Sequence, residues 1–213
     1  MAAITLDPLD LAALVCSRVC HDVISPVGAI VNGLEVLEED SDPQMREFAL
    51  DLIRKSARQA SARVQFARLA FGAAGSAGAA IDLGDAESVA KGMFGDDKVT
   101  LSWSSPRVLM PKNKVKLLLN LVVLANGAIP RGGRIAVDVT GAEEDPVFAI
   151  SATGINARIP AHAEALLAGE PEGGTVDAHA ILPYYAGLVA RAAGMNVTLS
   201  IEGETVLIRA AKA

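Results

Sequence analysis

The sequence predicts two units of different class: an N-terminal helical hairpin, then a C-terminal α+β sandwich with one sheet and its helices on one face. Two observations carry this reading. Apolar residues recur every seven positions at Leu9, Cys16, Val23, Ile30 and Leu37, the spacing of a long helix packed nearly parallel to others. Beyond residue 80, strand-like and helix-like runs are partly segregated, as in a single sheet backed by helices. Between the two lies Gly72–Ala80, made only of small residues, with nothing to bury and high backbone entropy. The units are therefore expected at 1–71 and 81–213, with a linker at 72–80.

Each element has a local cause. Asp7-Pro8 combines an N-cap with a proline at the first helical position. Ala12, Val19, Pro26 and Gly33 fill the positions between the heptad residues, with Val27 and Leu34 beside them. Glu38-Glu39-Asp40-Ser41-Asp42 is a polar turn, and Asp42-Pro43 starts a second helix. Met45, Phe48, Ala49, Leu52, Ile53, Ser56, Ala60, Val64, Ala67 and Phe71 continue at helical spacing, so 8–71 is an αα-hairpin. Such a hairpin cannot bury its stripe alone, and two copies make a four-helix bundle. A homodimer is expected, with the linker leaving the hairpin undocked on its own second domain. Further on, Glu87–Phe94 reads as helix, Lys98–Trp103 as strand and Pro111–Ile129 as helix. Arg134–Thr140 and Val147–Ser151 pair as antiparallel strands. Asp177–Ala193 is helical, and Val197–Ile201 with Thr205–Arg209 form a terminal hairpin.

Composition narrows the function. With 19 Lys+Arg against 25 Asp+Glu the net charge is −6, unlike a protein that coats nucleic acid. Hydrophobic residues are 51% and aromatics 4%, so the core is aliphatic. The first residues lack the basic start of a signal peptide, and no uninterrupted apolar run reaches a membrane span. A cytoplasmic protein without a membrane segment is expected. Cys16 and Cys20, one helical turn apart, read as small core residues. Cys16-x-x-x-Cys20-His21 offers a metal too few further ligands nearby, so no metal is expected.

His21 falls opposite the heptad seam and should face solvent. An imidazole can carry a phosphoryl group on a ring nitrogen, and Asp22 beside it could orient the ring or take up a proton. Pro26 has no N–H, so the Asp22 carbonyl loses its i+4 partner and the helix should bend there. Gly28, seven residues on, leaves room for another protein. Given equal rise in both helices, position 21 faces position ~62, where the second helix carries Arg54, Lys55, Arg58, Arg63 and Arg68, with no acid between Asp51 and Asp82. Arg58 and Arg63 are the cations placed to steer an acidic partner. Leu14, Ser17, Arg18 and Ile24, off the seam, complete the candidate docking surface.

His21-Asp22-x-x-Ser25-Pro26 resembles the phosphoacceptor box of histidine kinases. The resemblance implies that His21 is phosphorylated, Asp22 is its acid/base neighbour, and Ser25 stands where relatives orient water for dephosphorylation. The second unit resembles the family's ATP-binding (Bergerat-type) module in degenerate form. Leu117–Asn126 and Pro130–Val137 look like the asparagine-box helix, its Gly-Gly turn and the next strand. The family's second asparagine is replaced by Leu124, and Asn126 is out of register. Asp-x-Gly-x-Gly reads Ala152-Thr153-Gly154-Ile155-Asn156, and no glycine-rich box lies near Thr175–Tyr184. Adenine selectivity, a metal ligand and a phosphate-binding loop are thereby lost, and ATP binding is not expected.

Together these features resemble the ChpT-type histidine phosphotransferases over essentially the whole chain. That resemblance implies a dimeric phosphorelay protein that accepts a phosphoryl group from the receiver of a CckA-type hybrid kinase. It passes the group to response regulators of the CtrA and CpdR type, in control of the cell cycle. No cofactor is expected on this chain, with Mg²⁺ arriving on the partner receiver. Two other readings stand beside it: an ATP-dependent histidine kinase core, and a non-enzymatic adaptor that binds response regulators without phosphohistidine.

Overall fold

The protein is described here from a computed structural model, which covers residues 3–39, 42–72, 80–94 and 98–213. Asp40, Ser41 and most of the expected linker, 73–79, lie outside the described residues.

Helix α1 runs Pro8–Glu39 and α2 runs Pro43–Ala70, antiparallel to each other. Both begin at the expected caps. Asp7 Oδ1 accepts from the Leu9 N–H at 2.8 Å, and Asp42 Oδ1 accepts from the Gln44 N–H at 3.0 Å. The pairing register is set by two side-chain to main-chain bonds. Arg46 Nη1 donates to the Leu37 carbonyl at 2.6 Å, and Arg63 Nη1 donates to the Asp22 carbonyl. Position 22 thus lies opposite 63, in keeping with the equal-rise expectation.

The seam inside the hairpin differs from the expected heptad. Pro26 and Gly33 on α1 and Ala49 and Ser56 on α2 are buried, with Val19 and Leu37 half-buried. Leu9 and Cys16 are exposed, Leu9 at 81%, and Cys20 is exposed as well. A straight α-helix drifts by ~20° per heptad against a seven-residue repeat. The Leu9–Leu37 stripe therefore rotates, reaching α2 at Leu37 and leaving it at Leu9. Close approach of the helices depends on Gly33, where a Cβ would stand 2.7 Å from Ile53 Cγ1 and 3.3 Å from the Ala49 carbonyl.

The hairpin also docks on its own second domain, contrary to the expectation that the linker would leave it free. Phe66 and Ala70 of α2 are buried in the main core. Phe66 meets Phe94 edge-on with ring centroids 6.2 Å apart. The start of the chain is tied as well. The Ile4 N–H donates to the Gly169 carbonyl at 2.8 Å, and Tyr184 Oη donates to the Ile4 carbonyl at 3.1 Å. Leu11, Leu14 and Val15 pack with Leu166, Val176, Ile181 and Tyr184 in a second core. The helical spacing Phe66–Leu69–Ala70, beside the α1-facing seam of α2, is the signal for this contact.

Strands β1 (Ala80–Asp82) and β3 (Leu109–Pro111) form a small antiparallel pair. Between them come α3 (Leu83–Met93), capped by Asp82 Oδ1 on the Gly84 N–H at 2.6 Å, and β2 (Val99–Ser104). Helix α4 (Lys112–Ala128) leads to β4 (Gly133–Gly141) and β5 (Pro146–Thr153). Helices α5 (Ala163–Ala168) and α6 (Ile181–Ala192) precede the terminal strands β6 (Met195–Glu202) and β7 (Thr205–Lys212). The five-stranded sheet has the order β2-β4-β5-β7-β6. Only β2–β4 is parallel, and its crossover contains α4, as parallel neighbours require. Every residue from Leu117 to Ala125 is buried, so α4 is buried all round rather than amphipathic.

The three-residue strands β1 and β3 and the six-residue α5 were not among the expected elements, because they are too short to establish a period. Helix α6 starts four residues later than expected. Asp177 Oδ1 accepts from the N–H groups of His179 and Ala180 at 2.9 and 2.8 Å, which holds 177–180 as a turn.

Replacing Gly33 by Val should separate α1 from α2 and cost about 1–3 kcal/mol. Urea unfolding monitored by circular dichroism reads this directly.

Candidate functional site

His21 lies midway along α1 with its side chain 80% exposed, and its Nδ1 stands 3.6 Å from Asp22 Oδ1. This is ion-pairing range for a protonated ring, slightly beyond a good hydrogen bond. Asp22 is itself fixed twice. Its Oδ2 accepts from Arg18 Nε at 3.1 Å, one turn earlier on α1. Its main-chain carbonyl, left without an intrahelical donor because residue 26 is proline, accepts from Arg63 Nη1 across the hairpin. Helix α1 continues through Pro26. A solvent-facing imidazole thus sits beside an aspartate whose carboxylate is held by Arg18 and whose main-chain carbonyl is held by Arg63.

The other expected residues fall on different faces. Ser17 and Ser25 are exposed, as is Ile24 at 69%. Gly28 opens on empty space, with nothing within 4 Å of where a Cβ would stand. Arg58 is exposed and lines a groove between α2 and α3 with Arg54, Lys55 and Met93. Two residues are not where an outer docking surface needs them. Leu14 is packed into the second core against α6. Arg63 is half-buried with its guanidinium turned onto Asp22, because an unpaired main-chain carbonyl is a better partner than solvent. Arg18 faces the α6 side and is engaged by Asp22, bordering a cavity with Asn126, His162, Asp177 and Leu182. Phe66, Phe71, Met93, Val123 and Leu182 close in behind Arg18, Asp22 and Arg63. The second domain therefore backs the histidine site directly.

The nucleotide-like boxes have been turned to structural use. Asn120 is fully buried, and its Nδ2 donates to the Ala70 carbonyl at 3.1 Å and to the Lys116 carbonyl at 2.8 Å. The side chain that would face a metal instead ties α4 to the end of α2, and its buried Oδ1 has no partner. Leu124 and Ala152 are core residues. Gly132 and Gly133, at φ +83° and +142°, lie so close to the carbonyls of Lys98 and Thr153 that a Cβ would stand 2.2 Å from either oxygen. Glycine is required at both positions by this close backbone contact. In place of a phosphate loop, the N–H groups of Ala180 and His179 hold the Asp177 carboxyl below its ordinary range. His162 is the N-cap of α5, and His179 lies in the turn just before α6. Cys16 and Cys20 are exposed instead of core residues, and a hydrogen bond from Cys16 raises the Cys20 thiol. Among the described residues no group of three or more His, Cys, Asp or Glu could hold a metal ion.

Lines of evidence outside the chain agree on its class. Residues 83–205 match the family model of the histidine phosphotransferase C-terminal domain. This is a phosphotransfer protein whose second unit is a histidine phosphotransferase C-terminal domain. The chain belongs to the ChpT-type histidine phosphotransferases. It is 52% identical to the protein phosphotransferase ChpT of Brucella abortus (strain 2308), over 97% of this chain and 98% of that one. A solved bacterial phosphotransferase is 49% identical and superposes with a TM-score of 0.90, covering 99% of this chain and 100% of the other.

Replacing Asn120 by Ala leaves the Ala70 carbonyl buried without a donor. Thermal unfolding should report a loss of about 1–3 kcal/mol.

Proposed function

We propose that His21 is the phosphoryl carrier of a two-component phosphorelay, loaded from a receiver aspartate and discharged to another. The observation that carries this is the exposed imidazole of His21 with the fixed carboxylate of Asp22 on one of its two nitrogens. Asp22 favours the tautomer with the proton on Nδ1, leaving the Nε2 lone pair outward as nucleophile. Nε2 attacks the phosphorus of the aspartyl phosphate. A P–N bond forms, the P–O bond to the aspartate breaks, and the free carboxylate departs. The phosphoimidazolium keeps its Nδ1 proton, which Asp22 holds or accepts. Return of the phosphoryl group to a second aspartate reverses these steps. The transition state is loose and in-line, so positioning and charge carry most of the catalysis.

Receivers of a CckA-type hybrid kinase and of CtrA- and CpdR-type response regulators are the partners this reading assigns, in cell-cycle control in the cytoplasm. Mg²⁺ comes with the receiver's own carboxylates, and this chain binds no cofactor. The docking surface is Ser17, Ile24, Ser25 and Gly28 around His21, with Arg58 contributing long-range attraction. Ser25 is placed to orient water for dephosphorylation. Direct nucleic-acid binding and membrane insertion form no part of it.

The chain works as a homodimer on this reading. Helix α1 has an 18-residue window of mean hydropathy 1.4, and only 6% of that window is buried. Val27, Val31 and Leu34, at heptad spacing, are 43%, 48% and 47% exposed. By helix geometry they lie on a face roughly 100° from His21, so a second hairpin can cover them and leave the histidine free.

His21→Ala should abolish label transfer from a phosphorylated receiver, and retained transfer would remove the assignment. Asp22→Asn should slow transfer by about 10²-fold. The double substitution Val31→Glu with Leu34→Glu should convert the protein to monomers in light scattering at micromolar concentration. An unchanged mass would place the dimer elsewhere or nowhere.

A further inference from the structure

We infer that Arg63, across the hairpin from the histidine, is a positioning residue for phosphoryl transfer, taking over the work of the N–H that Pro26 lacks. This inference rests on His21 being the acceptor.

In an unbroken helix the carbonyl of residue 22 accepts from the N–H of residue 26. Here residue 26 is Pro26, buried in the hairpin seam, so that bond cannot form. The orphaned carbonyl belongs to the residue beside His21, and the Asp22 carboxylate is the group nearest the imidazole. Freedom at the Asp22 peptide would become freedom of the ring. Arg63 removes it by donating Nη1 to the carbonyl, while Arg18 Nε holds Oδ2 at 3.1 Å. Oδ1 is left facing His21 Nδ1.

The arrangement is costly in a way that simple helix stability does not explain. Arg63 Nε is buried with no hydrogen-bond partner, and a proline-free helix would satisfy the same carbonyl with no arginine. What the proline and arginine together achieve is a carbonyl tied to the second helix. The second domain borders the arginine in turn, since its Met93, Val123 and Leu182 line the same small cavity as Arg63 and Asp22. The docked domain thus acts on the acceptor through Arg63. The attraction of an acidic receiver is left to exposed cations such as Arg58.

Because productive geometry is sensitive to displacements of about 1 Å, loss of Arg63 should appear in the turnover step. Arg63→Met should lower kcat for transfer from a phosphorylated receiver about tenfold, with KM for the receiver unchanged within twofold. The decisive variant is Pro26→Ala with Arg63→Met, in which residue 26 regains an N–H for the Asp22 carbonyl. Its kcat should recover to within about threefold of Pro26→Ala alone. Circular dichroism melts of each variant keep a folding defect apart from a catalytic one, and the double variant remains informative if Arg63→Met alone unfolds. A rise in KM with kcat intact would make Arg63 a docking residue and overturn the inference. So would equal tenfold losses with and without Pro26. Wild-type protein that forms no phosphohistidine would instead refute the carrier reading itself.

Discussion

A missing hydrogen-bond donor organises the reactive end of this molecule. Pro26 cannot satisfy the Asp22 carbonyl, and the partner comes from Arg63 on the other helix. That one exchange sets the register of α1 on α2 beside His21 and fixes Asp22, whose carboxylate stands 3.6 Å from the imidazole. It also turns Arg63 inward, so a cation that seems from sequence to face solvent is withdrawn from the surface. The arginine needs shelter from water to hold a single carbonyl firmly, and the second domain supplies it.

The second domain therefore has a use that does not depend on nucleotide. Asn120 joins α4 to the end of α2 through the Ala70 carbonyl, and Phe66 enters the same core. Glycines 132, 133 and 154 persist because neighbouring backbones leave no space for a Cβ. Ala152 is a fully buried strand residue. An ionised carboxylate there would be expensive without a partner.

Much of this was legible in the sequence. Asp-Pro caps fixed both hairpin starts, period-2 runs located the five long strands, and equal rise placed 21 opposite the low 60s. The position of His21 opposite the heptad seam marked it as exposed, and its side chain is 80% exposed. Other features were not legible, for physical reasons. The drift between 3.6 and 3.5 residues per turn left Leu9 and Cys16 exposed and moved the hairpin seam to Pro26 and Gly33. Docking of α2 on the second domain hinges on Phe66 and Ala70, a stripe too short to stand out from the longer helical pattern of α2. Leu14 looked outward because α6, which covers it, comes from 170 residues later in the chain. Arg63 read as a surface cation that steers an acidic partner, although Pro26 four residues after Asp22 already announced a carbonyl in need of a donor.

The central claim is that phosphorus rests on one outward imidazole and reaches it without nucleotide. Phosphorus NMR of the protein, mixed with a phosphorylated receiver and no ATP, tests it most directly. The account predicts a phosphoimidazole resonance that is absent from His21→Ala protein of unchanged fold. A resonance that survives that substitution, or one that appears only when Mg-ATP is added, would contradict it.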